Sequence, residues 1–222
     1  MIVEDGILLT QKQPFTRIPL FSRGRQGFAS GGVTGTKEAP FFPNIPTGEI
    51  FSVTHKEEVN GRLVAKKPLV YEGTVINDIS LTFQDGRITS YAAANGQKAL
   101  ERLIETDEGS HYLGGIALVS SHSLLAQTNT LFYNTLFDEN TDCHIGICNA
   151  SPFNLQYGSS LSKQALEAAG LNTSLLTVNV TFGTEDMKVM GVKKDWEETV
   201  SMKVDTVSSL LKGVAIMLHI DI

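Results

Sequence analysis

The sequence predicts a single α+β domain, a mixed and mainly antiparallel sheet with two or more short helices, and three observations predict it. Residues 50–91 carry short alternating apolar runs joined by tight-turn dipeptides, the pattern of strands and hairpins. Two stretches, near 95–106 and 162–170, space their apolar residues as one face of a helix. Strands and helices do not alternate regularly, so a βαβ repeat is not indicated. A chain of 222 residues can bury one good core, or one domain plus an appendage.

Residues 1–42 show no convincing periodicity. Gly24, Gly27, Gly31, Gly32 and Gly35 mark Arg23–Gly35 as a loop-rich arm. It has no GxxxxGK[ST] pattern between a strand and a helix, so a phosphate loop is not indicated. Leu63–Tyr71 reads as a strand broken at Pro68. Ile79–Phe83 alternates and meets Asp85-Gly86, a tight turn into Arg87–Tyr91. Asn60-Gly61 reads as another such turn. Asn95 or Gly96 opens a helix with the stripe Ala99, Leu100, Leu103, Ile104, and Asn95 is the candidate cap. Gly115–Val119 is a short buried strand, Ser162 caps a helix that stops at Gly170, and Leu175–Phe182 is a further strand. Val207–Leu218 fits an amphipathic helix or a strand equally.

Composition excludes several function classes. The formal charge of −6 and the lack of a clustered Lys/Arg surface argue against nucleic acid as a partner. The N-terminus lacks a basic and apolar leader pattern, and the apolar tail 210–222 is too short to span a bilayer. The sequence therefore reads as cytoplasmic, with no membrane partner. Cys143 and Cys148 flank His144, but structural zinc wants four closed ligands, and two free thiols in a reducing compartment is the favoured reading. His144 itself, beside an apolar run and six residues beyond Asp138-Glu139, is open to two readings: a metal ligand or a buried, hydrogen-bonded core histidine.

Several longer strings narrow the field. Phe132-Tyr-Asn-Thr-Leu-Phe-Asp-Glu-Asn140, Cys143-His-Ile-Gly-Ile147, Asn44-Ile-Pro-Thr-Gly-Glu-Ile-Phe51 and Leu103-Ile-Glu-Thr-Asp-Glu-Gly109 resemble the C-terminal half of the aminopeptidase T family of metallopeptidases. The resemblance runs over about residues 43–195. It leaves an arm, 1–42, and a C-terminal segment, 196–222, unmatched.

The resemblance implies a dinuclear-metal aminopeptidase, releasing N-terminal residues from peptides by metal-activated water, with zinc, cobalt or manganese as cofactor and self-association as a homodimer. On the matching positions it implies Glu49 and His144 as metal ligands. Three further ligand positions of the family fall on Gly115, Thr177 and Asn179, and its active-site tyrosine falls on Ser151. Glycine supplies no oxygen, threonine no charge, and asparagine only a neutral carbonyl. The expectation is an impaired or inactive peptidase, a pseudoenzyme. The alternative is a non-catalytic dimerisation or binding module, or a truncated remnant of such a peptidase. His219 and Asp221 restore an H-x-D pattern near the C-terminus and are the substitute ligands to consider. The Asp138-Glu139-Asn140 turn is expected to aim His144.

Overall fold

The computed structural model describes residues 45–65, 67–155 and 157–182, together with 7–10, 16–18, 29–30, 32–34, 40–42, 188–192 and 198–203. The strands in chain order are β1 (Ile7–Thr10), β2 (Thr16–Ile18), β3 (Ala29–Ser30), β4 (Val33–Thr34), β5 (Pro40–Phe41), β6 (Glu49–Val53), β7 (Gly61–Val64) and β8 (Leu69–Tyr71). They continue as β9 (Thr74–Ile76), β10 (Ser80–Gln84), β11 (Arg87–Ala92), β12 (Gly115–Val119), β13 (His144–Cys148), β14 (Thr177–Thr181), β15 (Lys188–Val192) and β16 (Glu198–Lys203). The helices are α1 (Gln97–Ile104), α2 (Leu124–Gln127), α3 (Thr135–Glu139) and α4 (Lys163–Ala168).

The expected α+β architecture holds, and every strand pairing is antiparallel. The central sheet runs β14-β13-β12-β6-β3, beside a three-stranded sheet β11-β10-β7 and a four-stranded sheet β16-β15-β1-β2. One apolar cluster joins the first two. Ile50, Ile116, Leu118, Ile145, Ile147 and Val180 of the central sheet meet Leu63, Leu81, Phe83 and Ile88 of the smaller one. The α1 stripe Ala99, Leu100, Leu103, Ile104 is fully buried in the same cluster, as its spacing predicts.

Local signals succeed where the chain neighbours decide the conformation. Asp85 and Gly86 both take positive φ, 48° and 80°, and join β10 to β11. The Ser162 hydroxyl accepts from Ala165 N–H at 3.2 Å and caps α4, and the strand around Pro68 divides into β7 and β8.

Other expectations need correction. Asn95 does not cap α1; Gly96, in the left-handed region at φ 76°, precedes the helix, while Asn95 is held in a bridge to Asn77. Asn60-Gly61 is not a hairpin turn. Gly61 opens β7, and the Asn60 side chain accepts from Asp85 N–H at 2.9 Å, bracing the other turn. Asp138 and Glu139 end helix α3 rather than forming an isolated turn, and Asn140 follows as its C-cap. The described parts of the arm 1–42 include strand as well. It contributes five short strands: β3 extends the central sheet against β6, and β1 pairs with β15, which in turn pairs with β16 of the C-terminal segment. The Val207–Leu218 alternative lies outside the described residues.

Candidate functional site

The central sheet has two faces because side chains alternate along each strand and directly paired residues share a face. Ile50, Ile116, Leu118, Ile145, Ile147 and Val180 take the core face. The register then sets the other face: Glu49 opposite Val119, His144 opposite Ala117 and Thr181, Gly146 opposite Gly115 and Asn179, and Cys148 opposite Thr177. Gly115 and Gly146 sit side by side and leave a floor without side chains. Above them lies a cavity of about 180 Å³, and its lining includes Glu49, Gly115, His144, Ser151, Thr177 and Asn179. All six positions singled out on resemblance therefore meet at one cavity. His219 and Asp221 lie outside the described residues.

Within the cavity, Glu49 Oε2 and His144 Nε2 stand 3.3 Å apart, with side chains 17% and 5% exposed. His144 Nδ1 lies 3.2 Å from the Asp142 carbonyl, so Nδ1–H donates there and the Nε2 lone pair faces Glu49. Burial pulls the His144 imidazole down to about 4. Burial, and then the charge on Glu139, pushes the Glu49 carboxyl up to about 7. Between those values both groups are neutral. The contact is then a carboxyl–imidazole hydrogen bond rather than an ion pair.

Helix α3 and its cap support this pair. Asn140 Oδ1 accepts from Gly48 N–H at 2.7 Å, while its amide donates to the Leu136 carbonyl at 2.9 Å. The turn thus holds the backbone just before Glu49, as well as leading into His144. Glu139 was assigned from sequence only to that turn, yet its Oε2 accepts from Asn179 Nδ2 at 2.7 Å. Thr177 is exposed at the start of β14, and Ser151 precedes the 3₁₀ turn Pro152–Asn154. Asn154 donates to the Phe51 carbonyl at 3.1 Å, and the Phe153 ring meets Phe51 edge-on at 6.0 Å.

A divalent ion places particular demands on such donors. Two ligands about 2.1 Å from one tetrahedral ion stand roughly 3.4 Å apart, so the Glu49–His144 spacing suits two ligands of a single ion. A pair of ions needs about five converging side-chain ligands. Among the described residues no group of three or more His, Cys, Asp or Glu could hold a metal. The cysteines do not add to the set. Burial pushes the Cys143 thiol up to about 12 and Cys148 up to about 11, and Cys143 Sγ accepts from Val119 N–H at 3.3 Å. Both are free thiols. The described donors fit one ion through two ligands and do not fit a pair.

Comparison with known proteins places this geometry. A family profile described as thermophilic metalloprotease (M29) matches residues 14–204, a span that includes parts of both flanking segments. Aminopeptidase 2 of Geobacillus stearothermophilus is 44% identical over 165 residues, 74% of this chain and 40% of that protein. Aminopeptidase T of Thermus thermophilus is 38% identical over 174 residues, 78% of this chain and 42% of that protein. The solved structure of wild-type AmpT from Thermus thermophilus matches with a TM-score of 0.81 at 32% identity, covering 90% of this chain and 49% of that one. The chain spans about 40% of the length of these curated relatives. Among the described residues no helix is long and apolar enough to cross a membrane.

Proposed function

Since the chain belongs to the thermophilic metalloprotease (M29) family, we propose that its cavity is a site for peptide N-termini of the aminopeptidase kind, in which Glu49 and His144 are the surviving metal ligands and hydrolysis is weak or absent. The observation that carries this reading is the 3.3 Å Glu49–His144 pair facing a floor whose other positions are Gly115, Thr177 and Asn179. In two-ion hydrolases the metals polarise the peptide carbonyl and lower the pKa of the attacking water. A glycine, a neutral hydroxyl and a neutral amide cannot hold a second ion in place. The ion that the pair would take is zinc, cobalt or manganese, bound loosely.

The same residues favour a second reading, a binding or homodimerisation module that keeps the fold and the cavity without turnover. An aminoacyl p-nitroanilide assay with each metal supplied tests the impairment that both readings share. The proposal expects wild type at background, and the triple variant Gly115→Glu, Thr177→His, Asn179→Asp to gain at least ~100-fold, since metal-activated water supplies several kcal/mol. Wild-type turnover in the ordinary enzyme range, about 1–1,000 s⁻¹, would overturn the impairment.

A further inference from the structure

The geometry points to Lys67 as the positioning residue of His144, the group that keeps the Nε2 lone pair of the imidazole turned toward Glu49. This role rests on the metal-ligand reading of His144 above. Three observations lead there.

The turn before β13 sets the tautomer. A neutral imidazole offers one N–H and one lone pair, and the acceptor of the first decides where the second points. His144 is buried, its Nδ1 lies 3.2 Å from the Asp142 carbonyl, and the Glu139 carbonyl also faces the ring. Both carbonyls belong to the stretch 139–142 that links α3 to β13. If that stretch moves, the ring loses its acceptors and can carry its proton on Nε2 instead. A cation beside Glu49 would then meet an N–H where it needs a lone pair.

Lys67 grips this stretch on the strand side. Its ammonium donates to the Thr141 carbonyl at 3.2 Å and the Thr141 hydroxyl at 3.0 Å, and it pairs with the Asp142 carboxylate at 3.8 Å. Among the described residues Asp142 pairs with no other cation. The helix side is tied separately, by the Thr141 N–H and hydroxyl, which donate to the Asp138 carbonyl at 3.1 Å and 2.7 Å. Helix α3 therefore keeps its end without Lys67. What the ammonium adds is a hold on Thr141 and Asp142, whose backbone runs directly into His144. Without it a mostly buried carboxylate and two acceptors of the buried Thr141 are stranded, and the local chain must rearrange to reach water.

Lys67 is itself placed in advance. It precedes Pro68, which confines its backbone to the extended region. Ala65 on one side donates its N–H to the Ile79 carbonyl at 2.8 Å, and Leu69 on the other packs against the core cluster. The ammonium thus reaches the turn from a fixed base 74 residues away in the chain.

The test is long-range ¹H–¹⁵N correlation of the histidine rings in the full chain at pH 7.5 with chelator present, His144 being identified among the five histidines by its loss in His144→Gln. Wild type is expected to show Nδ1–H and a bare Nε2. In Lys67→Met, which keeps the stem and removes the donors, the ratio of Nδ1–H to Nε2–H should fall ~3–10-fold, the range of one buried hydrogen bond. Lys67→Arg, which restores a cation with donors, should return the ratio to within ~2-fold of wild type. Asp107→Asn, which weakens the fold elsewhere, should leave the ratio unchanged, so a merely structural role predicts a different pattern. A ratio unmoved in Lys67→Met, or moved equally in Asp107→Asn, would overturn the assignment alone. A Zn²⁺ titration of the same signals without chelator separates the two readings. Zn²⁺ should shift the His144 ring in wild type and bind Lys67→Met at least ~3-fold more weakly. No shift of the wild-type ring at several millimolar Zn²⁺ would overturn the metal-ligand reading and this role with it.

Discussion

The Glu49 carboxyl and the His144 imidazole face each other at 3.3 Å across the edge of a glycine-floored cavity, with Nδ1 of the histidine committed to the Asp142 carbonyl. A cation entering here meets one lone pair and one carboxylate already at the right separation, and among the described residues no group of three or more His, Cys, Asp or Glu converges to hold it. Binding should therefore be measurable and weak. With a dissociation constant of order 1 mM, 1 mM of ion stabilises by only about 0.4 kcal/mol, roughly 1–2 °C in melting temperature. Thermal melts with and without Zn²⁺, Co²⁺ or Mn²⁺ check this, and Glu49→Gln or His144→Ala should each erase the shift.

Adding the missing carboxylate should strengthen that binding. Gly115 directly opposes Gly146 on the cavity face, and a Cβ there would come within 3.0 Å of the Ser52 carbonyl oxygen, so β6 must give by a few tenths of an ångström. Gly115→Glu is expected to tighten cation binding at least ~10-fold, because a third donor converges on the ion. Isothermal titration with the metal alone reads this, alongside a modest fall in the melting temperature of the metal-free variant.

The loop leading into β14, the strand that carries Thr177 and Asn179, is anchored by Asn172. The buried Asn172 amide donates to the carbonyls of Gly109 at 2.9 Å, Cys148 at 3.0 Å and Tyr112 at 3.4 Å. Asn172→Ala should destabilise by ~2–4 kcal/mol, since it strands buried acceptors. Gly109 lies against the same loop, where a Cβ would sit 1.8 Å from the Thr173 carbonyl oxygen. Gly109→Ala should cost at least about 2 kcal/mol by overpacking. Chemical denaturation of each variant measures both.

Acid should act through Asp107. Desolvation pushes its carboxyl up. The Leu175 N–H, the Ser174 hydroxyl, and the Ser110 and Gly109 N–H groups outweigh that and hold it below the ordinary 3.8. The folded state then binds fewer protons than the unfolded chain, so the stabilisation is present above pH 3.8 and is lost as pH falls through the lower folded value. Asp107→Asn is expected to be less stable than wild type at pH 7. The gap should narrow as pH falls below 3.8 and close beneath the lower folded value, as followed by urea melts across pH.

The parts of the fold legible in the sequence were those fixed by near neighbours. The Asp85-Gly86 turn, the Ser162 cap and the α1 stripe each rest on contacts within a few residues. Asn95 misled because a tertiary bridge to Asn77 claims it before it can cap a helix. The short strands of the arm were invisible for a similar reason: β3 is a strand only because β6 lies beside it. In the site, the family resemblance singled out Thr177 and Asn179, and their i, i+2 spacing along β14 puts both on one face. Glu139 was missed because its contact with Asn179 spans 40 residues, and the Asn140–Gly48 bond that steadies Glu49 spans 92. No local pattern announces such pairs.

The most direct test of a two-ligand site is metal stoichiometry by elemental analysis after dialysis against Zn²⁺, Co²⁺ or Mn²⁺, with aminopeptidase turnover assayed on the same sample. The geometry of Glu49 and His144 predicts at most one ion per chain, easily removed, and turnover at background. Two tightly held ions with turnover would contradict it. The search for replacement ligands would then begin at His219 and Asp221.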